Sequence, residues 1–171
     1  MTSDLGSRYQ RDVERAVERL GRREGRPGAM APFEQIFAGG SRAQEVAQGA
    51  APVVGVLCNF APEELILAAG AVPLRLDLGH GGCAEAGGGV IGTEVCPTVR
   101  ALAGARAGGL PFHGDVDLLV VPAACDAKKK LVQLLEGETH LMELPVTKDG
   151  PGARERWTEQ VWLLARRLER L

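Results

Sequence analysis

No stretch of the sequence approaches the roughly 18 consecutive apolar residues that a membrane-spanning helix needs. The opening stretch, MTSDLGSRYQRDVER, is charged and has no apolar core, so it does not read as a secretory signal, and a cytoplasmic protein is expected. A basic excess is also missing. Twenty Lys and Arg stand against 22 Asp and Glu, for a formal charge of -2, whereas a nucleic-acid binder must neutralise phosphates. No cysteine pair forms C-x-x-C, which excludes a zinc ribbon and a thioredoxin-type pair. Neither G-K-[ST] nor a G-x-G-x-x-G after a strand occurs, so no ATP or NAD site is expected. His80, His113 and His140 share no metal-binding spacing and read as structural. No internal repeat or low-complexity tail is visible.

What remains is ordinary globular material: 171 residues, 45% hydrophobic and 25% charged, the size of one α/β domain. Residues 1–50 read as a helical lead-in. Tyr9, Val13, Ala16, Val17 and Leu20 recur at helical spacing, and Gly21, Gly25, Pro27 and Gly28 end the pattern. Phe33, Ile36 and Phe37 suggest a short element packed onto the body, closed by Gly39-Gly40, with Ser41 able to cap another.

Residues 51–171 form the body. VVGVLC (Val53 to Cys58) is apolar and β-branched without alternation, the pattern of a strand buried on both faces. A helix from Pro62 to Ala69 follows, with Glu63 and Glu64 in the first turn, where acids complement the positive end. The spacing then predicts a strand at Ala71–Leu76, a loop at Gly79–Gly89 and a helix at Pro97–Ala107. A strand at Val116–Pro122, a helix at Asp126–Leu135, a strand at His140–Val146 and a last helix from about Ala153 complete the series. Strands alternating with helices imply a parallel sheet flanked by helices, flavodoxin-like or Rossmann-like.

In such a sheet, ligands bind beyond the carboxyl ends of the strands. Cys58 ends the first strand, Cys125 follows another and precedes a helix, and Cys96 immediately precedes Pro97. Topology directs these three thiols toward one edge, two of them at helix starts that favour thiolates. Thiolates suit a soft metal or an iron–sulfur cluster. The competing reading is that each is a small core hydrophobe.

Three words bear on the choice: GVLCNFAPEELILAAGAVPLRL, EVCPTVRALAG and LLVVPAACDAKKKL, in that order. Together they resemble the 2-hydroxyacyl-CoA dehydratase family, whose D-component-type subunits include benzoyl-CoA reductase subunits. The most specific is C-x-x-x-P-E-E-L-x-x-A-x-G-A-x-P, and the resemblance covers about residues 52 to 146. It implies one [4Fe-4S] cluster held by three cysteines with an open fourth iron. Cys96 and Cys125 match family ligand positions, and Cys58 matches a frequent cysteine position. In longer members one ligand comes from a second α/β domain, so the third ligand here is Cys58 or belongs to a partner chain. The resemblance also implies a lyase that passes one electron to an acyl-CoA, forming a ketyl radical. It implies a second subunit or homo-oligomer and an ATP-hydrolysing activator.

Other residues are read more blandly. Glu63 is a candidate substrate-binding or acid–base group that helix initiation already explains, and Arg100 is a candidate anion partner or a surface ion pair. Asp126 reads as a helix cap, Lys128 to Lys130 as a solvated face, and Cys83 as a bystander in a mobile loop. Trp157 and Trp162 suggest a surface seeking cover in an oligomer. Besides the dehydratase reading, a small iron–sulfur electron-transfer or assembly module without its own catalysis fits the same residues.

Overall fold

The computed structural model describes residues 2–33, 49–110, 116–135, 137–145 and 149–171. Helix α1 spans Thr2–Gly21, about two turns longer at its start than the apolar set suggests. A 3-10 turn at Gly28–Met30 follows. Phe33 is 63% exposed rather than packed on the body. Ile36, Phe37, Gly39, Gly40, Ser41 and His113 lie outside the described residues.

Four short strands make the sheet: β1 (Val53–Val56), β2 (Val72–Arg75), β3 (Leu118–Pro122) and β4 (Thr139–Met142). Their order is β2-β1-β3-β4, with every neighbouring pair parallel. The two central strands are buried along their whole length, which explains their unbroken apolar runs. Pro73 is tolerated because β2 is an edge strand, where one side of the backbone needs no ladder partner.

The helices are α2 (Glu63–Ala68), α3 (Gly81–Ile91), α4 (Pro97–Ala107), α5 (Asp126–Leu134) and α6 (Ala153–Leu168). On one face of the sheet, Ile66 of α2 and Leu164 and Leu168 of α6 pack on Val54, Val56, Leu118 and Val120. On the other, Ile91, Val99, Leu102 and Leu131 pack on Leu119 and Val121. Alternate strand residues therefore feed opposite cores, as the pleat requires.

The segment read as a glycine-rich loop is helix α3. Glycine disfavours helix by about 1 kcal/mol relative to alanine, but tertiary packing can override that. Here the glycines let α3 and α4 touch backbone to backbone. A Cβ on Gly87 would lie 1.8 Å from the Arg100 carbonyl oxygen, and one on Gly104 would lie 2.0 Å from that of Cys83. His80 starts the helix by accepting the Cys83 N–H at Nδ1, 3.2 Å away. Lys130 finishes it by donating to the Ile91 carbonyl at 2.8 Å.

Cys83 is accordingly fully buried, beside Ala101, Ala105 and Leu110, with Leu5 and Tyr9 of α1 packed against them. Among the described residues no helix is long and apolar enough to cross a membrane.

Candidate functional site

The sheet reverses its winding between β1 and β3: β1 connects outward to β2, and β3 connects the other way to β4. Such a switch point opens a crevice at the carboxyl ends of the two strands. Val56 aligns with Val120 across the pair, and the Leu57 N–H still donates to the Val120 carbonyl at 3.1 Å. Beyond that bond the chains diverge, β1 into Cys58 and β3 into Cys125.

Cys58 turns out of the strand with φ 72°, the one non-glycine residue with positive φ among those described. An L-residue adopts this left-handed conformation at some cost, which neighbouring bonds must offset. The Cys58 N–H donates to Asp77 Oδ2 at 3.0 Å. Arg75 then gathers the surrounding acceptors: Asp77 Oδ2 at 2.6 Å, Asn59 Oδ1 at 3.0 Å and Glu63 Oε1 at 3.1 Å. Glu63 is thus engaged in holding the Cys58 turn.

Burial pushes the Cys58 thiol up, but hydrogen bonding from the Lys128 ammonium and the N–H groups of Phe60 and Asn59 outweighs it and leaves the thiol below its ordinary range. Cys96 is exposed at the N-cap of α4, ahead of Pro97. The open N–H groups of Thr98 and Val99 hold its thiol down, and the Lys128 charge adds to the effect. Cys125 is exposed and takes the N-cap of α5 in extended conformation. Asp126 is the first helical residue there and not the cap, which still places its carboxylate at the positive helix end.

Lys128 was legible only as part of a solvated run. The structure separates the three lysines: Lys130 caps α3, Lys129 is exposed, and Lys128 is half-buried, its charge favouring the thiolates of Cys58 and Cys96. The sequence signal was its position one turn into a helix that starts at a rim cysteine. Arg100 lies at the seam of α3 and α4, its Nε buried without a hydrogen-bond partner among the described residues. Its charge helps hold the Glu94 carboxyl low, after the Glu94 N–H, the Thr93 hydroxyl and Lys130. His140 on β4 is half-buried; burial pushes it down, and its Nε2 has no described partner.

Residues 58–171 match the family described as 2-hydroxyglutaryl-CoA dehydratase, D-component. The chain belongs to that family. It is also 28% identical over 121 residues to YjiM of Escherichia coli (strain K12), which carries the name of a dehydratase subunit. That match covers 69% of this chain and 32% of the length of YjiM.

For a D-component chain the donor chemistry of the rim is informative. Cys58, Cys96 and Cys125 offer soft sulfur, and two of the thiols are biased toward thiolate. Among the described residues no three His, Cys, Asp or Glu side chains form a group able to hold one metal ion. A single ion needs its donors around one point. Cysteine sulfur is the donor type that an iron–sulfur cluster takes.

Proposed function

We propose that this D-component chain is the cluster-bearing part of a 2-hydroxyacyl-CoA dehydratase-type lyase. Residues 51–171 form its α/β unit, and residues 1–50 form a helical lead-in. Cys58, Cys96 and Cys125 hold one [4Fe-4S] cluster through their thiolates. When bound, the cluster supplies one-electron transfer and an iron able to take a substrate oxygen.

The chain's own residues prepare for this. The Arg75–Asp77–Cys58 bonds fix the turn that presents one thiol, and the first turns of α4 and α5 present the others. The reaction is loss of water from a 2-hydroxyacyl-CoA. One added electron converts the thioester carbonyl to a ketyl, hydroxide leaves, and the β-hydrogen then becomes acidic enough to lose. The electron returns at the end, so the net change is dehydration. The partners are a second dehydratase-type subunit or another copy of the chain, and an ATP-hydrolysing activator, all in the cytoplasm.

What supports this reading is the family match together with the sheet order, which puts Cys58 after β1 and Cys125 after β3, the strands on either side of the switch point. Anaerobic reconstitution with iron and sulfide is expected to give about four irons per chain. Cys96→Ala and Cys125→Ala should each abolish this, and full iron content in both variants would falsify the assignment. A loaded chain that cycles its redox state but binds no acyl-CoA would indicate an electron-transfer or assembly module instead.

A further inference from the structure

We propose that α1 is a releasable strap, clasped over the thiol of Cys83 by its first three turns and able to lift as a unit while the sheet stays folded. Leu5, Arg8, Tyr9 and Asp12 follow helical spacing and share one face of α1. Leu5 seats against Gly108, the C-cap of α4, where a Cβ would lie 2.5 Å from Leu5 Cδ2. Arg8 reaches Glu85 of α3 at 2.9 Å, and its guanidinium lies so close to Gly82 that a Cβ there would meet it at 3.0 Å. The His80 ring bridges the two helices, with Nε2 3.0 Å from the Asp12 carboxylate and Nδ1 3.2 Å from Cys83 Sγ. Tyr9 meets that ring edge-on, with centroids 5.1 Å apart, and packs with Leu5 on the cluster that contains Cys83. The strap and its test involve none of the rim cysteines.

The strength of these contacts decides that α1 lifts before the body opens. No described side chain of α1 is fully buried, whereas Val54, Val56, Leu118 and Val120 of the central strands are completely enclosed. Farther along α1, Val13, Ala16, Val17 and Leu20 stay partly open. The Arg8–Glu85 pair is solvated on both sides, and exposed pairs contribute little. The Asp12–His80 contact is the stronger tie, because the His80 side chain is only 12% exposed. An element that buries so little apolar area opens at a lower free energy than the core strands. Gly21, Gly25 with φ 70°, Pro27 and Gly28 already interrupt the chain after α1, so lifting breaks no continuous helix. A lifted strap uncovers Cys83, Ala101, Ala105 and Leu110, and it thereby governs when the Cys83 thiol meets solvent.

The test uses the full chain, with amide hydrogen exchange in low urea and iodoacetamide alkylation of Cys83 followed by peptide mass spectrometry. In wild type, α1 amides are expected to exchange at urea concentrations that leave β1 and β3 protected; loss of protection in all three together overturns the strap. Asp12→Ala and Gly108→Ala loosen the clasp from its two sides. Alanine is a better helix former than aspartate, so Asp12→Ala removes the tie without weakening α1 itself. Gly108→Ala places a methyl group where Leu5 now sits. Each variant should raise the Cys83 alkylation rate several-fold at neutral pH, with β1 and β3 amides protected as in wild type. Glu18→Gln removes only the pair with Arg22 on the far part of α1 and should leave Cys83 closed. An unchanged Cys83 rate in either clasp variant, a faster one in Glu18→Gln as well, or a faster one only where β1 and β3 also lose protection overturns the proposal.

Discussion

His80 Nε2 lies 3.0 Å from Asp12 Oδ2, so one imidazole ties helix α1 to the start of α3. With Nδ1 accepting from the Cys83 N–H, the ring proton resides on Nε2 and is donated to the carboxylate. His80→Ala should cost about 1 kcal/mol for the lost cap. It should also open Cys83 to thiol reagents, because Leu5 and Tyr9 of α1 cover it. The His80 hydrogen bond holds the Asp12 carboxyl below its ordinary value, with Arg15 and Arg8 adding to it. A lowered folded-state value means that the contribution is complete above the usual carboxylate range and lost as pH falls through the lowered value. Limited proteolysis of α1 should therefore accelerate on acidification; equal cleavage at pH 7 and pH 3 would contradict the tie.

Gly104 and Gly89 make opposite predictions from the same substitution. A methyl group on Gly104 meets backbone of α3, so Gly104→Ala should destabilise by about 1–3 kcal/mol or more. Gly89 sits in α3 facing open space, and Gly89→Ala should stabilise by about 0.4–1 kcal/mol through helix propensity and a stiffer unfolded chain. Urea denaturation of both variants reads the difference directly.

The thiols should separate by reactivity. Cys96 is exposed and held low by the Thr98 and Val99 N–H groups, so it should alkylate at a lower pH than free cysteine. Cys83 is buried, and burial pushes its thiol up, so it should stay unmodified until the chain unfolds. Mass spectrometry of peptides after brief iodoacetamide treatment across pH 6–9 checks the order.

Removing the Asp77 carboxylate leaves the strained Cys58 turn without its anchor. Asp77→Ala is expected to cost about 1 kcal/mol, the low end for a charged hydrogen bond in an exposed setting. In reconstituted protein it should lower iron retention, measured as iron per chain after desalting. Retention equal to wild type would show that the turn holds without Asp77.

Helix α6 offers an internal control on packing. Leu164 is fully buried, and Leu164→Ala should cost about 2–5 kcal/mol. Trp162, two residues earlier and 64% exposed, should change the stability of the isolated chain by no more than about 0.5 kcal/mol when replaced by alanine. Comparable losses in the two variants would place Trp162 in a contact that the single chain does not contain.

Much of the architecture could be read directly from the residues, because burial on both faces leaves a local mark. Val53 to Val56 and Leu118 to Pro122 are unbroken apolar runs since helices cover each side of the sheet. Pro97 marks the start of α4, whose bounds agree with the sequence pattern, because proline at a first helical position suits its fixed φ. Cys58 and Cys125 could be assigned to one rim by the same logic, since they follow two parallel strands whose carboxyl ends point the same way.

What stayed hidden depends on atoms remote in the chain. Gly81 to Gly89 looked like a loop because local propensity counts glycines against a helix; contact with α4 reverses that preference, and only a packed neighbour can show it. Arg75 reaching Asn59 and Glu63, and Asp12 meeting His80, are long-range pairings with no periodic signature. The lysine run is the clearest instance. Three identical side chains in succession carry the same local information, yet Lys130 reaches the Ile91 carbonyl at the end of α3, Lys128 is half-buried and Lys129 is exposed, because each residue rotates about 100° around the axis.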